Sequence, residues 1–208
     1  MIKVILHALG RTLITFVFGV PSVPQITDEQ CIVVANHNTH LDIMVLFRLF
    51  SLGRVNNVRT VAAEDYFGRG LKGKFACYLF NIILVERQPA GRDDPLRPVT
   101  KALEAGYSII VFPEGTRGEP GIIEHFKSGV GKLALTFPQL PVYPAILLGA
   151  EKTLPKNKYI PVPFSISLEL LDPLYGKNYD MEHPSVARKE LTAVLERKIR
   201  QALALPEE

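Results

Sequence analysis

The chain has 208 residues, 47% of them hydrophobic and 22% charged, with a mean hydropathy of +0.14. That is enough for one domain with a full core, and the composition excludes a disordered chain. A formal charge of +3 and a pI near 8.8 fall well short of a dedicated nucleic-acid binder, and suit an anionic membrane surface or a phosphorylated substrate.

The first twenty residues, "MIKVILHALGRTLITFVFGV", read as an amphipathic helix set apart from the body at 21–208. Its longest charge-free stretch, Thr12 to Val20, is too short for the roughly 20 apolar residues a bilayer span needs. It also lacks the small-x-small cleavage site of a secretory signal. Lys3, His7, Arg11 and Thr15 recur every four residues and form one narrow polar stripe beside a broad apolar face. Such a helix either packs on the protein body or lies in a membrane interface with its cations towards headgroups.

Beyond it, strand-like runs alternate with helix-like ones. Strands are predicted at Ile32 to Ala35, Arg59 to Ala62, Ile82 to Val85, Ser108 to Phe112, Val142 to Leu147 and Ser165 to Leu171. Helices are predicted at Ile43 to Leu52, Gly70 to Tyr78, Pro98 to Glu104 and Gly129 to Phe137, and finally at Ser185 to Leu203, a solvated cover helix. The order predicts an α/β fold with a mostly parallel central sheet flanked by helices, its functional loops gathered at strand C-termini. Cys31 and Cys77 lie in apolar runs without metal-ligand spacing and read as reduced core residues.

Two of those loops carry chemistry. In "VVANHNTHLDIMVL", Thr39 and Asp42 stand at the spacing of a reciprocal helix cap, and on that reading Asp42 is only a cap. The alternative places His37, still in the loop, against the Asp42 carboxylate, which fixes one ring nitrogen and frees the other to take a proton. In "SIIVFPEGTRG", Pro113 to Arg117 make at least a turn; Gly115 also lets backbone donors approach an anion that Arg117 grips. Arg87 of "NIILVERQ" is a second potential phosphate ligand or a solvated charge. There is no G-x-S-x-G elbow and no complete P-loop, which argues against a lipase-type serine hydrolase and against nucleotide hydrolysis. His37, His40 and Asp42 have no fourth group at metal-ligand spacing, so no metal is expected.

Taken together, "NHNTHLD" (Asn36 to Asp42), "NIILVER" (Asn81 to Arg87), "FPEGTR" (Phe112 to Arg117) and "LPVYPAIL" (Leu140 to Leu147) resemble the four ordered blocks of the glycerolipid acyltransferases. In length the chain is most similar to bacterial 1-acylglycerol-3-phosphate acyltransferases of the PlsC type. The resemblance implies a glycerol-3-phosphate acyltransferase-like fold. It implies acyl transfer from acyl-CoA or acyl carrier protein to the sn-2 hydroxyl of a lysophospholipid, with no cofactor and no nucleic acid. His37 would be the general base and Asp42 its orienter, while Arg87, Glu114, Gly115, Thr116 and Arg117 would bind the acceptor phosphate. In that role Glu114 is expected to orient Arg117 or a backbone loop. The implied location is the cytoplasmic face of the inner membrane, peripheral or monotopic.

Two departures from the family pattern bear on substrate. Asn81 stands where the second block usually opens with Gly, and Ala62-Ala63 stand where many relatives read Ala-Lys. The oxyanion donor is therefore open between backbone amides and Lys127, and the acceptor could be another lysolipid. A catalytically silent lipid-binding domain is the remaining alternative.

Overall fold

Short, continuously apolar runs become the centre of a sheet because both of its faces are covered. The computed structural model describes residues 1–20, 23–64, 70–86, 94–116, 122–153, 162 and 164–204. Its strands are β1 (Ile32–Ala35), β2 (Val58–Ala63), β3 (Ile82–Val85), β4 (Ser108–Val111), β5 (Val142–Leu148) and β6 (Ser167–Leu170). They form one sheet in the order β3-β2-β4-β1-β5-β6, parallel throughout except for β6, which runs antiparallel to β5 at one edge. The helices are α1 (Ile2–Phe18), α2 (Leu41–Leu46), α3 (Leu71–Leu79), α4 (Arg97–Glu104), α5 (Gly129–Thr136), α6 (Ala150–Thr153) and α7 (Pro184–Ala202).

Side chains alternate across the pleat, so each central strand feeds two cores. Val33 and Ala35 of β1 join Ile110 of β4 under α1 and α2, while Ile32 and Val34 join Ile109 and Val111 under α4, α5 and α7. On the second face α7 covers the sheet through Leu191, Leu195 and Ile199, as its apolar side predicts. One of its cations departs from the solvated-face reading: Arg200 is buried and donates to the Ile123 carbonyl. The helix predicted over Ile43 to Leu52 ends at Leu46 and continues as short 3-10 turns at Phe47–Leu49 and Leu52–Asn57.

The orientation of α1 corrects the reading in which its cations face headgroups. The polar stripe is turned into the protein: Lys3 donates to Asn81 Oδ1, His7 Nε2 meets the Leu79 carbonyl at 3.0 Å, and Arg11 donates to the carbonyls of Phe47 and Phe50. Thr15 Oγ1 accepts from Arg48. Those carbonyls lie at the end of a helix and in the turns that follow one, where backbone acceptors have capacity to spare; the Phe47 carbonyl takes Arg11 in addition to the Phe50 N–H at 3.3 Å. The outward side is apolar instead, with Phe16 84% exposed, Leu9 62% and Leu13 57%. No helix among the described residues is long and apolar enough to cross a membrane.

Burial holds the His7 imidazole below its ordinary value of 6.5, opposed by the Leu79 carbonyl and reinforced by Arg11 and Lys3. A base whose pKa is depressed on folding contributes stability that is present above its unfolded value and lost as pH falls through the folded one. Docking of α1 is therefore expected to loosen as pH falls below about 6.5. His7→Gln, which keeps a side-chain donor but cannot charge, should remove that dependence. Amide exchange across α1 in the two proteins, compared at each pH from 7.5 to 5, checks it; equal exchange at every pH would take His7 out of the docking energetics.

Candidate active site

The C-terminal ends of β3, β2, β4 and β1 lie side by side, and the loops that leave them enclose a cavity of about 320 Å³. Its mouth carries His37, His40, Gly115, Thr116 and Lys127, and its apolar wall includes Val61, Val85, Leu96, Val111, Val130 and Leu133. A polar mouth on an apolar interior suits a ligand with a charged head and a hydrocarbon body.

His37 leaves β1 at a point fixed from several sides. Asn36 is buried, and its side-chain amide both donates to and accepts from the backbone of Leu147 on β5, pinning the strand end. The His37 ring stacks on Phe112, with centroids 4.0 Å apart. Its Nδ1 lies 2.9 Å from Asp42 Oδ2. That same oxygen accepts the backbone N–H groups of Asn38 and Thr39 at 2.6 and 2.8 Å, and Oδ1 accepts the Thr39 hydroxyl at 3.1 Å. With Oδ2 already taking two obligate donors, the ring proton belongs on Nδ1 and Nε2 is left with a free lone pair.

The cap and the pair are thus one structure. Asp42 accepts from the Thr39 backbone as a capping carboxylate does, whereas the Thr39 hydroxyl takes the Leu41 N–H rather than that of Asp42. Asp42 is fully buried, so its charge depends on these four bonds.

The turn after β4 supports the same histidine. Glu114 is 4% exposed, and its two oxygens accept the backbone N–H groups of His37 at 2.9 Å and Glu124 at 3.1 Å. Burial pushes its carboxyl above the ordinary value against the pull of those donors. Both oxygens hold backbone and neither turns to the cavity, so the acid braces the loop beneath the mouth. Gly115 has φ +72°, a conformation open to glycine at little cost. A Cβ there would lie 2.6 Å from Lys127 Nζ, which places the ammonium directly over the turn. Arg87 and Arg117 lie outside the described residues.

The family profile described as Acyltransferase matches residues 17–148, a span that contains all of this geometry up to the end of β5. The chain belongs to the acyltransferase family. It is 28% identical over 180 residues to a 1-acyl-sn-glycerol-3-phosphate acyltransferase of Limnanthes douglasii, covering 85% of this chain and 62% of that protein. It is 29% identical over 138 residues to the chloroplastic enzyme of the same name from Arabidopsis thaliana, covering 66% of this chain and 36% of the other. The chain therefore spans about three fifths or less of these curated relatives. The crystal structure of the 1-acyl-sn-glycerophosphate acyltransferase PlsC from Thermotoga maritima superposes with a TM-score of 0.72 at 25% identity, covering 99% of this chain and 81% of that one.

Within this family member, several site residues carry no local signal in the sequence. Asn36 stands in the first block, but its partner is 111 residues away. Glu86 and His40 line the cavity, though no sequence motif marks either as a site residue on its own. Asn81 has φ +49°, a region where Asn is tolerated far better than most side chains, which accounts for its standing in place of Gly. Its amide also donates to the carbonyls of Val55 and Val58, contacts that Gly would lack. Among the described residues, no group of three or more His, Cys, Asp or Glu side chains is placed to hold a metal ion.

Proposed function

We propose that this protein transfers a fatty acyl group from acyl-CoA or acyl carrier protein to the sn-2 hydroxyl of 1-acylglycerol-3-phosphate, giving phosphatidic acid for phospholipid synthesis. The observation that carries the reading is the His37–Asp42 pair, 2.9 Å apart, with a free ring nitrogen at the mouth of an apolar cavity. The names of the relatives support the acceptor.

In this mechanism Nε2 of His37 takes the hydroxyl proton as the oxygen attacks the thioester carbonyl. The tetrahedral intermediate collapses, the carbon–sulfur bond breaks, and the imidazolium returns the proton to the leaving thiolate. Asp42 keeps the tautomer and stabilises the imidazolium. Lys127, over Gly115, is the side chain we assign to the developing oxyanion or to the acceptor's phosphate. Arg87, Thr116, Arg117 and the Gly115 backbone are the remaining phosphate ligands, with Glu114 holding the loop rather than the anion. The apolar wall receives acyl chain. No cofactor enters the reaction.

The protein meets its substrate at a membrane surface, with α1 as the contact and the cytoplasmic leaflet as its location. A second reading keeps the chemistry and changes the acceptor headgroup. It is favoured by Ala62 and Ala63, the pair that departs from the family pattern, both of which line the cavity.

The deciding experiment is acyl transfer in lipid micelles, with labelled acyl-CoA or acyl carrier protein and a panel of lysophospholipids. Product from lysophosphatidic acid above all others is the expected result. Product from a different lysolipid would retain the histidine and reassign the acceptor, and no product from any acceptor would leave a lipid-binding domain.

A further inference from the structure

Residues 122–127 form an irregular strap between the mouth of the cavity and α7. On the cavity side, Glu124 N–H donates to Glu114 at 3.1 Å and Lys127 N–H donates to the Pro113 carbonyl at 3.0 Å. Ile123 and Phe126 are buried in the second core. On the opposite side the strap is gripped by two residues one turn apart on α7. Glu196 Oε2 accepts Phe126 N–H at 2.9 Å, and Arg200 donates to the Ile123 carbonyl at 2.8 Å. The two are themselves paired, Arg200 Nε lying 3.0 Å from Glu196 Oε1, and His125 Nδ1 meets that same oxygen at 3.1 Å.

This arrangement does more than attach a helix. The side chains of Glu196 and Arg200 are only 15% and 10% exposed, yet they are spent on the backbone of the strap. That backbone ends in the N–H held by Glu114 and in the lysine placed over Gly115. Glu114 in turn holds the N–H of His37 at 2.9 Å. A continuous series of hydrogen bonds and one short backbone segment therefore joins the last helix to the backbone of the histidine.

We propose that Glu196 is a positioning residue for acyl transfer: by holding Phe126 N–H it seats the strap against Glu114 and Gly115, and so fixes both the His37 backbone and the Lys127 ammonium. The proposal rests on the acyl-transfer reading above. Packing of Ile123 and Phe126 keeps the strap near α7 in the absence of Glu196, but sets neither its register nor the direction of its N–H groups. A catalytic group displaced by about an ångström loses up to about 100-fold in rate, so a small shift of the strap has a measurable effect.

The test compares Glu196→Ala, Glu196→Gln and, as a control on an exposed neighbour, Arg197→Ala. Amide hydrogen exchange in the intact protein is expected to rise by about tenfold at Phe126, Glu124 and His37 in Glu196→Ala. It should rise less in Glu196→Gln, whose carbonyl still accepts from Phe126 although its amide nitrogen cannot accept from Arg200, and stay near wild type in Arg197→Ala. In the transfer assay, kcat should fall by about 10- to 100-fold in Glu196→Ala and recover in part with Gln, which keeps the Phe126 bond, while KM for the acyl donor holds, because the apolar wall is not part of the strap. Faster exchange confined to Phe126, with Glu124 and His37 at wild-type rates, would overturn the proposal, as would loss of kcat without rescue by Gln. If the wild type transfers to no acceptor, the proposed activity fails on its own, and the exchange at His37 still decides whether Glu196 positions it.

Discussion

Replacing His37 by alanine is expected to lower kcat by about 10² to 10⁴-fold while leaving the fold intact, because a positioned general base contributes a factor of that size. The ring lines the cavity and stacks on Phe112, so its loss removes that contact and one side-chain hydrogen bond. Asp42 behaves differently. It is fully buried and accepts the Asn38 and Thr39 N–H groups as well as the imidazole. Asp42→Ala strands those donors, each left unsatisfied at about 1–3 kcal/mol, and should lose stability together with activity. Asp42→Asn can put its carbonyl oxygen where Oδ2 lies and keep the three donors satisfied, but it carries no charge to stabilise an imidazolium. The expected order is therefore a kinetic defect alone for His37→Ala and Asp42→Asn, and a kinetic defect with a lowered Tm for Asp42→Ala. Saturating kinetics beside thermal melts read both. Transfer near the wild-type rate by His37→Ala would take the imidazole out of the mechanism.

What the sequence made legible follows the range of the interactions involved. β1 begins and ends where its apolar run does, because a strand buried on both faces is written locally as an unbroken apolar segment; β3, a half-buried edge strand, also keeps the bounds of its apolar run. His37 and Asp42 are five residues apart, and the loop and cap between them bring the pair together. The family resemblance left Glu114 between orienting Arg117 and orienting a backbone loop, and did not say which loop, since the partners it holds stand ten residues after it and 77 before it. The early end of the helix at Leu46 has the same origin. The carbonyls of Phe47 and Phe50 that leave the helical pattern are taken by Arg11, more than thirty residues upstream. Glu196 and Arg200 look like an ordinary i,i+4 surface pair until the strap they hold is seen. In α1, periodicity revealed the stripe but not its direction. A cationic stripe points outward when nothing else needs it and inward when helix ends and turns offer carbonyls with acceptor capacity to spare, and only the tertiary structure tells the two apart.

That inward stripe changes what membrane contact should look like: vesicle binding is expected to survive high salt and purely zwitterionic lipid, and to fail when Leu9 and Phe16 are both replaced by glutamate. Headgroup attraction through Lys3, His7 and Arg11 would instead be screened by salt and would require anionic lipid. In the folded protein Lys3 and Arg11 are committed to Asn81 and to the Phe47 and Phe50 carbonyls, and His7 to the Leu79 carbonyl. The outer face offers Ile2, Ile5, Leu9, Leu13, Phe16 and Val17, all exposed. Burying one such side chain contributes about 1.5–3 kcal/mol, so removing two costs about 3–6 kcal/mol, or roughly 10² to 10⁴-fold in partitioning, before the cost of the new charges. Co-sedimentation with neutral vesicles across a salt series measures this, with Leu9→Glu/Phe16→Glu beside the wild type and circular dichroism to confirm that the double variant is folded. Both residues are mostly exposed, so the variant has little folded-state contact to lose. Release of the wild type by salt would move the membrane contact to cations elsewhere on the surface, and binding unchanged in the double variant would exclude the outer face of α1 as the contact.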